Sequence, residues 1–530
     1  MKLLVFVLIL SIGLITVIPY LDASAIAYFP SPLKQISDGV LPENVTCTEG
    51  LAIVLKSTDN SPACVKPQSV DKLIQRGWAI ENMSSHAITQ TMITPQEAQS
   101  IAEEAYIFGY PMILMDLTAK KMSNVPEAGA QTAPVNQFAH FSEFPTPDFK
   151  DVVKPNADTL YSLAWLNLSV EPIILHVPDT DDRYYLMPLL DAYSNVFESP
   201  GKRTTGTGDN DFAIVGPFWD GQLPDGMTKI QSPTELVWIL GRTQANGAED
   251  FDAVKEIQKQ FTLTPLSSFG KSYQPPQNVD VDSSIDMIMP PVTKIEKSDV
   301  VVYFDRMAML MKTNPPSSDD TDLVVKFAKI GLIPGEKFDS SNFDPEIVKA
   351  IELGAKDGLE KIKSNIVNIG INENGWQKAT NLGSYGTDYL LRASVAFMGL
   401  GANLPEDAIY PMAYIDSDGD KLNGNNKYMV HFPKDQTPPV NAFWSLTMYN
   451  VAELFVENPI DLYAIGDRSE LEYNTDGSLD IYIQHESPEG HESNWLPAPE
   501  DDFNLVLRFY WPSLEIIDDT WQIPPLQKRE

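Results

Sequence analysis

No feature of the chain constrains its fold as strongly as the alternation over residues 503–511. Phe503, Leu505, Leu507, Phe509 and Trp511 fall on one side of an extended chain; Asn504, Val506, Arg508 and Tyr510 fall on the other. A period of two with one aromatic-rich face predicts a half-buried strand within a sheet. The same alternation runs through residues 443–449 and 479–484, so the chain is expected to end in an antiparallel β domain. Strand-like runs recur in the middle, at 160–168, 173–177, 184–189, 212–215 and 236–240, with turn residues between them, as a sandwich or jelly roll requires. Helical spacing predicts helices over 251–261, 299–312, 319–329, 344–364 and 386–397. Thr94, Pro95 and Glu97 mark a further helix start as N-cap, first-turn proline and capping-box partner, with the helix running to about Lys121. The expected fold is α+β: two jelly-roll-like antiparallel β-sandwich domains with an intervening helical region.

The chain has 530 residues, room for several domains, and a formal net charge of -35. That charge repels phosphate backbones and argues against a nucleic-acid partner. Lys2, the apolar run 3–18 and the small residues Ala23, Ala25 and Ala27 read as a signal peptide; an uncleaved N-terminal membrane anchor is the rival. Both place the remainder outside the cytoplasm. Cys47 and Cys64, the only cysteines, are then expected to form a disulfide worth about 3 kcal/mol in the chain-entropy model. Asn44, Asn82 and Asn167 each open an N-glycosylation acceptor triplet, a pattern common by chance. The expected order is a signal or anchor over 1–27, a small disulfide-bracketed module over 28–92, a helix with the first β-sandwich over 93–270, a mostly helical connection over 271–405 and the second β-sandwich over 406–527.

Two stretches carry a family resemblance. Pro155-Asn156-Ala157-Asp158-Thr159-Leu160-Tyr161-Ser162, Asp182-Arg183-Tyr184-Tyr185, Asp191, Asn195, Gly201 to Gly206 and Val215-Gly216-Pro217 resemble domain of unknown function 1254. Tyr428 to Phe432, Ala442 to Tyr449, Asn458-Pro459, Tyr463 to Arg468, Asp480 to His485 and Asn494 to Pro499 resemble domain of unknown function 1214. The pair implies two jelly-roll-like β domains with intervening helices, often in exported bacterial or archaeal proteins, some of which oligomerise. It implies no reaction.

Two polar clusters are candidate sites. In the first β region they are Asn156, Asp158, Tyr161, Arg183, Tyr185, Asp191, Asn195, Arg203, Thr204 and Thr205. Arg203 opens a donor-rich turn fit for a carboxylate, sulfate or sugar hydroxyls, and Asp158 with Asp191 can do general acid/base work if both face one cleft. The structural alternative is a buried Arg–Asp–Tyr network. In the second region Trp444, Tyr449, Tyr463, Arg468, His485, Asn494, Trp495, Arg508 and Tyr510 mix aromatic and polar groups, as sugar sites do; sandwich core is the alternative. Asp416, Asp418 and Asp420 alternate like calcium ligands but lack the helix frame and the glutamate at the twelfth position. No cofactor is expected beyond calcium at this turn. No His-Glu-x-x-His spacing and no Gly-x-Ser-x-Gly elbow occurs. The expected role is an exported envelope protein, a binding or structural module for carbohydrate or another small polar ligand, with homo-oligomers and N-terminal membrane contact as expected partners. The alternatives are a hydrolase or lyase using Asp158, Asp191 and Arg203, and an oligomeric surface-assembly protein.

Overall fold

The computed structural model describes residues 31–37, 40, 45–48, 51–56, 61–76, 79–81, 93–150 and 153–529. The leader at 1–27 and the acceptors Asn44 and Asn82 lie outside the described residues. The chain divides into two compact units, Met1–Met92 and Ile93–Glu530.

In the first unit, strand Ala52–Lys56 lies between Pro62–Val65 and Ala79–Glu81 in an antiparallel sheet. Cys47 and Cys64 are disulfide-bonded, with Cα atoms 5.7 Å apart. Gln35 fastens the segment before the sheet: its amide nitrogen donates to the Thr46 carbonyl (2.8 Å), and its amide oxygen accepts from the Thr46 N–H (2.9 Å). Such a bridge compensates for a core too small to hold by burial alone. A disulfide also fits an oxidising compartment. No helix among the described residues is long and apolar enough to cross a membrane.

The second unit has helix Pro95–Ser123 at its centre, buried around most of its circumference. A helix apolar on every face belongs in an interior, where other helices cover it. The Thr94 hydroxyl accepts from the Glu97 N–H at 3.2 Å, as a cap should. Helices Val300–Thr313, Pro345–Asn365 and Tyr389–Gly399 share its apolar core. Gly354 and Gly358 let Pro345–Asn365 approach closely: a Cβ on Gly354 would lie 2.1 Å from the Gln99 carbonyl oxygen.

Each β region is a pair of sheets over one apolar core. In the first, Thr159–Asn167 and Leu236–Gln244 pair at the middle of one sheet. The facing sheet runs Thr228–Gln231, Asn210–Val215, Ile173–Val177, Thr262–Pro265. Leu166, Val237 and Ile239 from one sheet pack with Leu175, Phe212 and Ile214 from the other. In the second region Phe503–Pro512 and Val440–Asn450 are neighbours in a seven-stranded sheet, faced by Trp495–Pro497, Leu479–Gln484, Lys427–Phe432 and Leu526–Arg529. Two pairings depart from the antiparallel expectation: Asn210–Val215 with Thr228–Gln231 and Leu479–Gln484 with Trp495–Pro497 are parallel. A hairpin, Ile371–Glu373 with Trp376–Lys378, emerges from the stretch read as helical and joins the second region's larger sheet.

The largest difference concerns the strand that most constrained the fold. Its alternation predicts a strand buried on one side only. Asn504, Val506, Arg508 and Tyr510 are instead buried. Leu505, Leu507 and Phe509 fill the second region's own core. The opposite face abuts the first β region, where Tyr184 and Leu186 pack with Phe443 and Tyr510. The two regions therefore meet along a buried, polar seam.

Candidate functional site

The seam is built from cross-strand pairs. Tyr161 lies opposite Arg242, further along the same sheet face as the stacked pair Trp165 and Trp238 (ring centroids 4.8 Å apart). Across the seam Ser445 lies opposite Arg508 and Phe443 opposite Tyr510. Asn156 forms a tight turn that aims the following residues: its side-chain oxygen accepts from the Asp158 N–H (2.6 Å) and the Thr159 N–H (3.2 Å).

Asp158 is the joint between the regions. It is ion-paired with Arg468, whose other terminal nitrogen donates to the carbonyls of Asp158 (3.2 Å) and Ala245 (2.8 Å). Ser445 Oγ donates to the second carboxylate oxygen at 2.7 Å, and Tyr510 OH reaches it at 3.4 Å. The Asn156 amide donates to Tyr510 OH at 3.1 Å. A second joint forms at Arg203, whose Nε meets Asp407 Oδ1 at 2.6 Å while Ser199 Oγ donates to Asp407 Oδ2 at 2.6 Å.

Between these joints lies a loop of linked cations and phenols. The Arg242 guanidinium sits 5.1 Å from the Tyr161 ring centroid and donates to Asn403 Oδ1 at 2.7 Å. The Asn403 amide donates to Tyr410 OH at 2.9 Å, and Arg508 lies 5.1 Å from the Tyr410 ring. Arg508 Nη2 also donates to Tyr449 OH (2.6 Å) and to the Lys154 carbonyl (3.0 Å). Burial pushes the Tyr410, Tyr449 and Tyr510 phenols up, and the arginines pull the other way.

The remaining predicted residues lie elsewhere. Asp191 is enclosed in its own turn, accepting from the N–H groups of Tyr193 (2.8 Å) and Asn195 (2.9 Å) and from the Asn195 amide. Burial raises its carboxyl above the usual range. It shares no partner with Asp158. Arg183 forks onto Asp250 at 2.6 and 2.8 Å, and Tyr185 OH meets Thr205 Oγ1 at 3.2 Å. Thr204 bonds the Ser199 carbonyl within the same turn. Trp444 is in the second region's core, and buried Trp495 donates to the Gln484 carbonyl at 2.8 Å, so neither presents an open face to a sugar. His485 Nδ1 meets the Ala498 carbonyl at 2.9 Å. Asp416 is buried and accepts from the N–H groups of Asp418 and Asp420, both at 3.0 Å; those two side chains are exposed. No group of three His, Cys, Asp or Glu side chains among the described residues is placed to hold a metal.

Sequence reasoning missed Arg242, Asn403, Asp407, Tyr410 and Ser445. Arg242 left a signal: it continues the strand face of Trp238 and Leu240, where a charge is out of place unless something polar covers it. Two cavities, of about 290 and 230 Å³, lie among the helices, lined by Val301, Phe338 and Ile351 and by Lys121, Lys294 and Arg306. Neither is lined by a seam residue.

Residues 135–265 match the family described as protein of unknown function DUF1254, and residues 407–514 match protein of unknown function DUF1214. The middle and C-terminal resemblances thus hold, and of the seam residues above only Asn403 falls outside both matches. The crystal structure of the VPA0106 protein from Vibrio parahaemolyticus aligns with a TM-score of 0.63 at 25% identity, over 82% of this chain and 100% of that one. An uncharacterised protein from Burkholderia cenocepacia aligns over 82% of this chain and 94% of its own, at 12% identity and a TM-score of 0.37. No curated protein matches the chain.

Proposed function

We propose that the chain is an exported binding module of the cell envelope, two jelly-roll-like β regions closed on each other, which takes a small polar ligand at their seam. The observation that carries this reading is the convergence of Asp158, Arg203, Arg468, Arg508 and Tyr510 on one interface. All five were candidates in the sequence, two from the middle of the chain and three from its C-terminal region. A hydrolase or lyase pairing Asp158 with Asp191 is not favoured, because each carboxylate has its own separate partners. The disulfide supports export, and the apolar run at 3–18 is the expected leader.

Metabolite capture by the purified protein, read by mass spectrometry, tests the reading. A small polar compound is expected to be retained unchanged and to raise the thermal midpoint. A compound that is converted would replace binding with catalysis, and a folded protein that retains nothing would sink the proposal.

A further inference from the structure

We infer that the seam holds a small anion, a carboxylate or an inorganic anion of similar size, between Arg242 and Arg508. This rests on the reading of the seam as a ligand seat and names the class of ligand. Both arginines are 5% exposed. Arg183, Arg203, Arg306 and Arg468 are each ion-paired with an aspartate. Arg242 and Arg508 are not, and neither is buried Arg392, which lies away from the seam among the aromatics Phe108, Tyr193 and Tyr389. The two seam guanidinium groups reach no carboxylate: Arg242 bonds the Leu240 carbonyl, Asn403 and the Tyr161 phenol, and Arg508 the Lys154 and Pro155 carbonyls and Tyr449. The Nε–H of each is buried with no partner. A buried cation without a bonded counter-charge is among the costliest arrangements a fold can contain, and here two of them are linked through Asn403 and Tyr410, with Asp158 acting on Arg508 only at a distance.

The nearby carboxylates are committed. Asp158 is taken by Arg468 and Ser445, and Asp407 by Arg203 and Ser199. Asp467, bonded to the Trp444 N–H at 3.1 Å, lies at the surface on the Arg468 side. Tyr161 and Tyr410 are half-buried as residues. Guanidinium forks match the two oxygens of a carboxylate or the edge of a sulfate. The net charge of -35 turns large polyanions away, while screening over about 8 Å at physiological salt lets a small ion approach. One rival source of negative charge is internal: burial raises the Tyr161 phenol, but Arg242 and Arg508, with Asn156 beside it, hold it below its ordinary value. The other groups facing it, the phenols of Tyr410 and Tyr510, carry no positive charge.

Equilibrium dialysis of labelled acetate, sulfate and chloride against the intact protein at constant ionic strength tests the inference. Saturable binding of one of them is expected, with a matching rise in the thermal midpoint, weakened roughly tenfold or more in Arg508→Met, the loss of one charged hydrogen bond. The dialysis uses the unaltered chain, so it decides the matter even where that variant fails to fold. Absence of saturable binding overturns the inference. So does a tyrosinate absorption band at neutral pH in anion-free protein that vanishes in Tyr161→Phe, since the seam would then supply its own counter-charge. If a neutral compound is captured while all three anions fail, the ligand-seat reading stands and the anion falls; if nothing binds, both fall.

Discussion

Asp158 bonds to three side chains that lie 287 to 352 residues further along the chain, Ser445, Arg468 and Tyr510. Asp158→Ala would remove the carboxylate ion-paired with Arg468, and breaking such a mostly buried pair is expected to cost about 3 kcal/mol in denaturant unfolding. A double-mutant cycle with Arg468→Met should recover much of that loss as coupling; additive losses would mean the pair contributes little. His140 gives a pH signature. Burial lowers its imidazole from 6.5 to about 4, and its Nδ1 meets Ser162 Oγ at 2.9 Å. The unfolded chain binds that proton near pH 6.5 and the folded chain only near 4. Stability from the neutral ring is therefore complete above the first value and is lost as pH falls to the second, by about 3 kcal/mol. In His140→Gln the midpoint should fall less steeply across that window. An identical slope would place the effect on other groups. At this scale the sequence revealed the chemistry but not the pairing: Arg203, Arg468 and Asp158 were all legible as candidates, yet nothing local in the chain says that Arg203 meets Asp407 and Arg468 meets Asp158.

Elements were more legible than contacts. The alternation at 479–484 and the β-branched apolar run at 173–177 yield strands with those same bounds, because an apolar/polar period of two, or a short apolar run between turns, has few other solutions. The strand Phe503–Pro512 was equally plain, but the fate of its polar side was not. Alternation reports that one face is less apolar; it does not report whether water or another sheet lies against that face. The hairpin Ile371–Glu373 with Trp376–Lys378 was missed because three-residue strands carry too little period to separate from a helix end. On Pro345–Asn365 the glycines are the informative residues. Gly354→Ala adds helix propensity, but its methyl meets the Gln99 carbonyl, so overpacking should prevail with a net loss of about 1–3 kcal/mol. Gly358→Ala, with its nearest atom at 3.0 Å, should be milder. Thermal midpoints of the two variants check the order, and equal values would show that the helices give way more easily than their packing implies.

For the whole molecule, the bridge and the seam make separate claims. If Cys47 and Cys64 are bonded in the protein as the cell makes it, alkylation without reductant should add no mass, and two added labels would end the compartment argument. The seam joins residues far apart in the chain, and that separation matters before the fold exists. Translation delivers Asp158 310 residues ahead of Arg468. Through all that time the growing polypeptide has half of an interface and nothing to close it. Its first β region can collapse around its own apolar residues, yet it must wait with a carboxylate and a guanidinium turned outward. A nascent intermediate of this kind is long-lived, wetted on the side that will later be dry, and a natural client for whatever holds unfinished chains apart.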